Sequence, residues 1–201
     1  YALAYAGLGD AYDRRQWHGF PFSTWNDSAV AVSNIAISLD PSAAEGYKAL
    51  GNALQSRGEL RRSLALYNKA VNLNPSYAPV FASISAVEMK LGELDGAILS
   101  QRKAVALQPG FSRWPTQLGF YYFLLGYDSL ASVWSEKALE LQPDFFFPYL
   151  LLGYADMFAG RFDQAREKAK KALSLGPNEY LTVVAVGDIE MYAGNYREAW
   201  R

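Results

Sequence analysis

Few residues in this chain could do chemistry, and their types and spacing limit what it could be. His18 is the only imidazole, so a metal site built on paired histidines is out of reach and any acid–base role rests on one ring. The chain has no cysteine, which excludes thiol catalysis, thiolate zinc sites and disulfide scaffolds. Asp10 and Asp13 are spaced to share a helix face. They could act as an acid–base carboxylate pair, although a solvated helix face accounts for them as well. Gly7-Leu8-Gly9 lacks the preceding strand and the third glycine of a dinucleotide loop. No Walker loop, His-Glu-x-x-His or Gly-x-Ser-x-Gly occurs. Asn26-Asp27-Ser28 fits the glycosylation acceptor pattern, which we read as chance. Arg161, Arg166, Lys168, Lys170 and Lys171 form a basic run. It is diluted by Asp163 and Glu167 and has no interleaved rings on which bases could stack, so it reads as a solvated outer face. The expectation is a protein without catalytic, cofactor-binding or metal-ligating residues, and not an enzyme.

Composition points the same way. Of 201 residues, 51% are hydrophobic and 19% charged, enough to bury a core. Nineteen Lys and Arg against twenty Asp and Glu leave a net charge of −1, which argues against nucleic acid or an anionic membrane as the main partner. The longest apolar stretch, Phe145 to Ala159, is broken by Pro148 and Asp156. Membrane insertion is therefore not expected.

The elements that must position these residues follow from a repeat. Pro41, Pro75, Pro109, Pro143 and Pro177 stand 34 residues apart. Each follows a run of one type, such as Ala70-Val71-Asn72-Leu73-Asn74 or Ala138-Leu139-Glu140-Leu141-Gln142. Gly58, Gly92, Gly126, Gly160 and Gly194 share the period, as do Ser63, Ala97, Ala131, Ala165 and Ala199 five positions later. The pattern predicts a helix, a tight turn at Gly, a second helix and a stop before Pro. The small residue lets the two helices approach closely.

This chain resembles tandem tetratricopeptide repeats, a family of helical hairpins carrying Trp-x-x-Leu-Gly-x-x-Tyr, Ala-x-x-x-Phe and Pro at fixed places. Tyr47, Leu50, Gly51, Leu54, Ser63, Tyr67, Ala70 and Pro75 stand at those places in residues 44–77. Further repeats are read at 78–111, 112–145 and 146–179, with a partial one at 180–201. The first, 2–43, starts on Tyr5, Leu8, Gly9 and Tyr12. It carries a loop insertion over 16–26, after which Asp27 or Ser28 caps the second helix. The fold class the resemblance implies is an all-α, right-handed superhelical solenoid of about six hairpins, forming a single domain over 1–201. Its function would be protein–protein recognition.

In such arrays, positions 2, 5, 9 and 12 of each first helix line a concave groove. Repeat two supplies Glu45, Lys48, Asn52 and Gln55. Repeat three supplies the small floor Pro79, Ala82, Ala86 and Met89. Repeat four supplies Phe120 and Phe123, repeat five Phe147, Leu150, Tyr154 and Met157, and repeat six Met191. Leu124, Phe158 and Tyr192 stand at the edge of the stripe. The groove thus grades from polar to apolar. Lys48 and Asn52 stand where carboxylate-clamp members of the family hold the C-terminal carboxylate of a chaperone peptide, but the supporting positions hold Ser83, Ala86, Gly119 and Phe123. Lys48 and Asn52 would orient a polar or acidic end of the ligand. The apolar half would bind a partner segment, be covered by further helices of the parent chain, or close a homodimer.

The chain opens on Tyr1 without a basic-then-apolar leader and ends inside a second helix, so the expectation is a piece of a larger regulatory or assembly protein. Residues 1–12 resemble the start of tetratricopeptide regions in bacterial adenylate/guanylate cyclase-like proteins and winged-helix regulators.

Overall fold

The structure, a computed structural model, describes residues 1–15 and 22–199. Among the described residues there are eleven helices and no strands. The chain divides into two compact units, residues 1–107 and 108–201. The first holds α1 (Ala2–Arg15), α2 (Phe22–Leu39), α3 (Ala44–Ser56), α4 (Leu60–Leu73), α5 (Ala78–Leu91) and α6 (Leu94–Leu107). The second holds α7 (Arg113–Leu124), α8 (Asp128–Leu141), α9 (Phe146–Phe158), α10 (Phe162–Leu175) and α11 (Tyr180–Tyr192). Within each unit consecutive helices pair as hairpins, and the first helix of one hairpin packs on the first helix of the next: α3 on α1, and α9 on α7.

From α3 onward, the glycine period marks the turn that ends the first helix of each hairpin. Gly58, Gly92, Gly126, Gly160 and Gly194 all adopt positive φ, between 73° and 81°, a conformation that a Cβ disfavours. The residue after each Gly donates back to a carbonyl of the last helical turn. Glu59 N meets Leu54 O at 2.9 Å, and Tyr127 N meets Tyr122 O at the same distance, which is the Schellman closure of a helix end. Across each turn, Ser63, Ala97, Ala131 and Ala165 are fully buried. In the second hairpin the approach is closest: a Cβ on Gly51 would lie 2.7 Å from Tyr67 Cδ1. The prolines end the second helices as expected. Tyr47 and Tyr149 each tie the next helix to that stop by donating to the carbonyls of Pro41 (3.2 Å) and Pro143 (3.1 Å).

The first hairpin departs from the sequence expectation. α2 already begins at Phe22 and runs for 18 residues, so residues 22–26 are helix and not loop. Asp27 and Ser28 therefore lie inside α2 rather than capping it. Residues 16–21, His18 among them, lie outside the described residues. The extra turn is held from the next hairpin. Asn26 is 1% exposed and donates through Nδ2 to Ala53 O at 2.8 Å, while Arg57 reaches both Asn26 and Asp27. Trp25 packs on the Tyr12 ring, centroids 5.5 Å apart.

Candidate functional site

The residues singled out for a binding role fall on two surfaces, one in each unit. In the first unit, Lys48, Asn52 and Ser56 follow one another at single-turn spacing along α3, and Asp10 and Asp13 do so along α1. The two rows meet. Lys48 Nζ lies 2.7 Å from Asp10 Oδ2, and Asn52 Nδ2 donates to Asp10 Oδ1 at 2.8 Å. Ser56 Oγ donates to Asp13 Oδ1 at 2.7 Å. The orientation of Asn52 is itself fixed, because its Oδ1 lies 2.7 Å from the Tyr67 hydroxyl and 3.4 Å from that of Ser83. The Tyr67 hydroxyl also lies 2.8 Å from Gln55 Oε1. Burial, reinforced by the Asp13 and Asp10 carboxylates, pushes this phenol well above the ordinary tyrosine range, against the hydrogen bond with Ser83. It remains a protonated donor. Nearby Tyr77 is pushed up to about 12, first by burial and then by Glu45 and Asp10.

This arrangement is a carboxylate receptor filled from within the chain. The side chains of Lys48 and Asp10 are only 13% and 19% exposed, and the donors that sequence reasoning assigned to a ligand are turned onto Asp10. Asp10 and Asp13 are correspondingly hydrogen-bonded acceptors, not a solvated face. The sequence did carry a signal for this pairing: Asp10 and Asp13 are positions 9 and 12 of the first helix of repeat one, on the same groove stripe that holds Lys48 and Asn52 in repeat two. Among the described residues no group of three His, Asp or Glu could hold a metal ion.

In the second unit, α7, α9 and α11 bring aromatic rings together. Phe120 meets Phe147 edge-on at 5.7 Å. Phe123 lies 5.7 Å from Tyr154 and stacks on Phe158 at 6.2 Å, and Phe158 meets Tyr192 edge-on at 6.2 Å. These spacings are those of favourable ring pairs. Phe158 is 54% and Tyr192 62% exposed, with Leu124 (54%) and Met191 (44%) on the same helices. The Tyr154 hydroxyl donates to Asp188 Oδ2 at 2.8 Å, and burial together with that carboxylate raises its pKa well above the usual value.

Two of the expected groove residues sit elsewhere. Leu150 and Met157 are each 3% exposed: Leu150 packs with Ala172 and Ala185, and Met157 with Ala165, Ala169 and Ile189. They are core, covered by α10 and α11. The open surface therefore lies one position further along each helix, at Leu124, Phe158 and Tyr192, where the sequence had placed only an edge.

Repeated hairpins closed at a positive-φ glycine and stopped at a proline define the fold of tetratricopeptide-repeat proteins, here carrying one aromatic face open to solvent. The comparisons agree with that class. Residues 44–77 match the family model of the tetratricopeptide repeat. In fold the chain is similar to PilW, a type IV pilus biogenesis factor, over 99% of this chain and 89% of that one, at 19% identity and a TM-score of 0.83. It is likewise similar to pilF of Pseudomonas aeruginosa, over 99% and 87%, at 19% identity and 0.82. YrrB, a TPR protein with an unusual peptide-binding site, matches over 83% of this chain and 86% of that one, at 23% identity and 0.64. No curated protein matches the chain in sequence.

Proposed function

We propose that the chain is a protein-interaction scaffold whose working surface is the aromatic face of residues 108–201, centred on Phe123 and Phe158. The observation that carries this reading is the ring run Phe123, Phe158 and Tyr192, continuous through three helices yet more than half exposed at its last two members. Large apolar side chains left open in a row mark interaction sites, and aromatic anchors supply most of the energy in such interfaces. Burying one of these rings is worth roughly 1.5–3 kcal/mol, so two or three support micromolar binding after association costs. A peptide site on YrrB, a protein of the same fold, is consistent with a segment of a partner as the ligand. The wider setting, a module of a cyclase-like or winged-helix regulator, rests on residues 1–12 alone.

The test is selection of short random peptides displayed against the whole chain, followed by affinity measurement on variants. Phe123→Glu should abolish binding of the selected peptides while leaving the helical circular dichroism signal intact. Lys168→Glu, on α10, should change it less than twofold. Binding unaffected by Phe123→Glu would remove this surface from the account. A concentration-dependent dimer that dissociates on Phe123→Glu would instead make a second copy of the chain the partner.

A further inference from the structure

We propose that the cleft beside Phe158 receives a lysine or arginine side chain of the partner segment, an inference that rests on the aromatic face being a binding surface. The cleft has a volume of about 420 Å³ and is lined by Asp128, Ser129 and Ser132 from α8, the end of α9 with Phe158, and Arg161. Phe158 is also the middle ring of the exposed run, so a segment lying on those rings passes the mouth of the cleft.

Charge decides what enters. The Arg161 guanidinium is already engaged by Asp156 Oδ1, through Nε at 2.9 Å and Nη2 at 2.8 Å. Among the described residues Asp128, in the first turn of α8, makes no ion pair, so the formal charge of the cleft and its rim is −1, from Asp128 and Asp156 against Arg161. An anionic side chain would share Arg161 with Asp156, which already holds its Nε and Nη2, and would sit beside the Asp128 carboxylate. An apolar one would cover the Asp128 carboxylate and two hydroxyls without hydrogen-bonding them. A basic side chain meets neither cost. Its alkyl stem lies along the open Phe158 ring, which also attracts the cation, and its head group donates to Asp128 and the Ser129 and Ser132 hydroxyls.

The peptides selected on the whole chain provide the probe. Basic residues should be enriched beside their apolar anchors. Each peptide is then synthesised with that position as Lys, norleucine or Glu, and its affinity is measured at low and high salt. On the parent chain, Lys to norleucine should weaken binding about 5- to 10-fold, as expected for an exposed ion pair combined with a cation–π contact, and more so at low salt. On Asp128→Asn the difference should fall below twofold, and on Asp128→Lys the Glu peptide should bind best. If Lys and norleucine peptides bind the parent equally while Phe123→Glu still abolishes binding, the basic-residue inference is overturned and the aromatic surface stands. If Phe123→Glu leaves binding intact, the surface itself is overturned, and the cleft with it.

Discussion

Replacing Asp10 with Ala isolates the polar cluster of the first unit and gives its energy a number. The substitution removes the acceptor of both Lys48 Nζ and Asn52 Nδ2. The ammonium left behind belongs to a side chain only 13% exposed, so water restores little of what it loses. Breaking a fully buried ion pair costs about 3–5 kcal/mol and an exposed one about 0–1 kcal/mol. A pair shielded to this degree, with a second charge-assisted hydrogen bond, should fall at about 2–3 kcal/mol. For a chain of this size that corresponds to a fall in Tm of about 4–12 °C. Most of the loss is the stranded charge, so adding Lys48→Met, which keeps the apolar stem, should recover about 1 kcal/mol or more. Denaturant titration of the parent, both single variants and the double variant reads this directly, and hydrogen exchange on α1 and α3 should show the loss confined to the first unit. Asp10→Ala within 0.5 kcal/mol of the parent, or a double variant as unstable as the sum of the singles, would refute the reasoning.

Gly51→Ala should cost about 1–3 kcal/mol by denaturant titration, because its methyl group meets a Tyr67 ring that its hydroxyl bonds to Asn52 and Gln55 keep from swinging aside. Glu88 has a buried Oε2 without a hydrogen-bond partner among the described residues. Burial, followed by the charge of Glu93, raises its pKa above the ordinary glutamate value, against the hydrogen bond from Ser100. A folded pKa above the unfolded one means that the native state holds the extra proton, so this group's contribution to stability falls as pH rises from the unfolded value through the folded one. Glu88→Gln should therefore be more stable than the parent at neutral pH, with the advantage shrinking as pH falls through the raised folded pKa and gone once pH is below the unfolded carboxyl value of about 4.3; equal unfolding midpoints at neutral pH would contradict this.

The backbone of this fold was legible because each repeat states it again. A lone Gly58 or Pro75 is weak evidence for a turn or a stop, but five of each in one register leave little else that the chain can do. Residues 22–26 do not read as helix in the sequence, because Ala29 is the first residue of α2 that falls in phase with the repeat. What makes 22–26 helical is tertiary: Asn26 finds Ala53 O, and Arg57 of the next hairpin reaches back to Asn26 and Asp27. No periodicity within α2 announces those partners.

The candidate surfaces were legible to the level of residue type and stripe, and no further. Helical spacing puts Leu150, Tyr154 and Met157 on one side of α9, but it does not say how wide a strip the next helix covers. Ala185 and Ile189 of α11 close over Leu150 and Met157. Between them Tyr154 keeps its edge free enough to reach Asp188, and Phe158, one residue past Met157, stays more than half exposed. The same limit operates at Lys48. Its place on the groove stripe is set by its own helix, whereas whether it faces a ligand depends on the residue opposite, and Asp10 is there. A stripe of a repeat protein becomes a binding site only where the neighbouring repeat leaves it open. In this chain the neighbouring helices leave Phe158 and Tyr192 more than half exposed beside Phe123, and they take Leu150 and Met157 into the core.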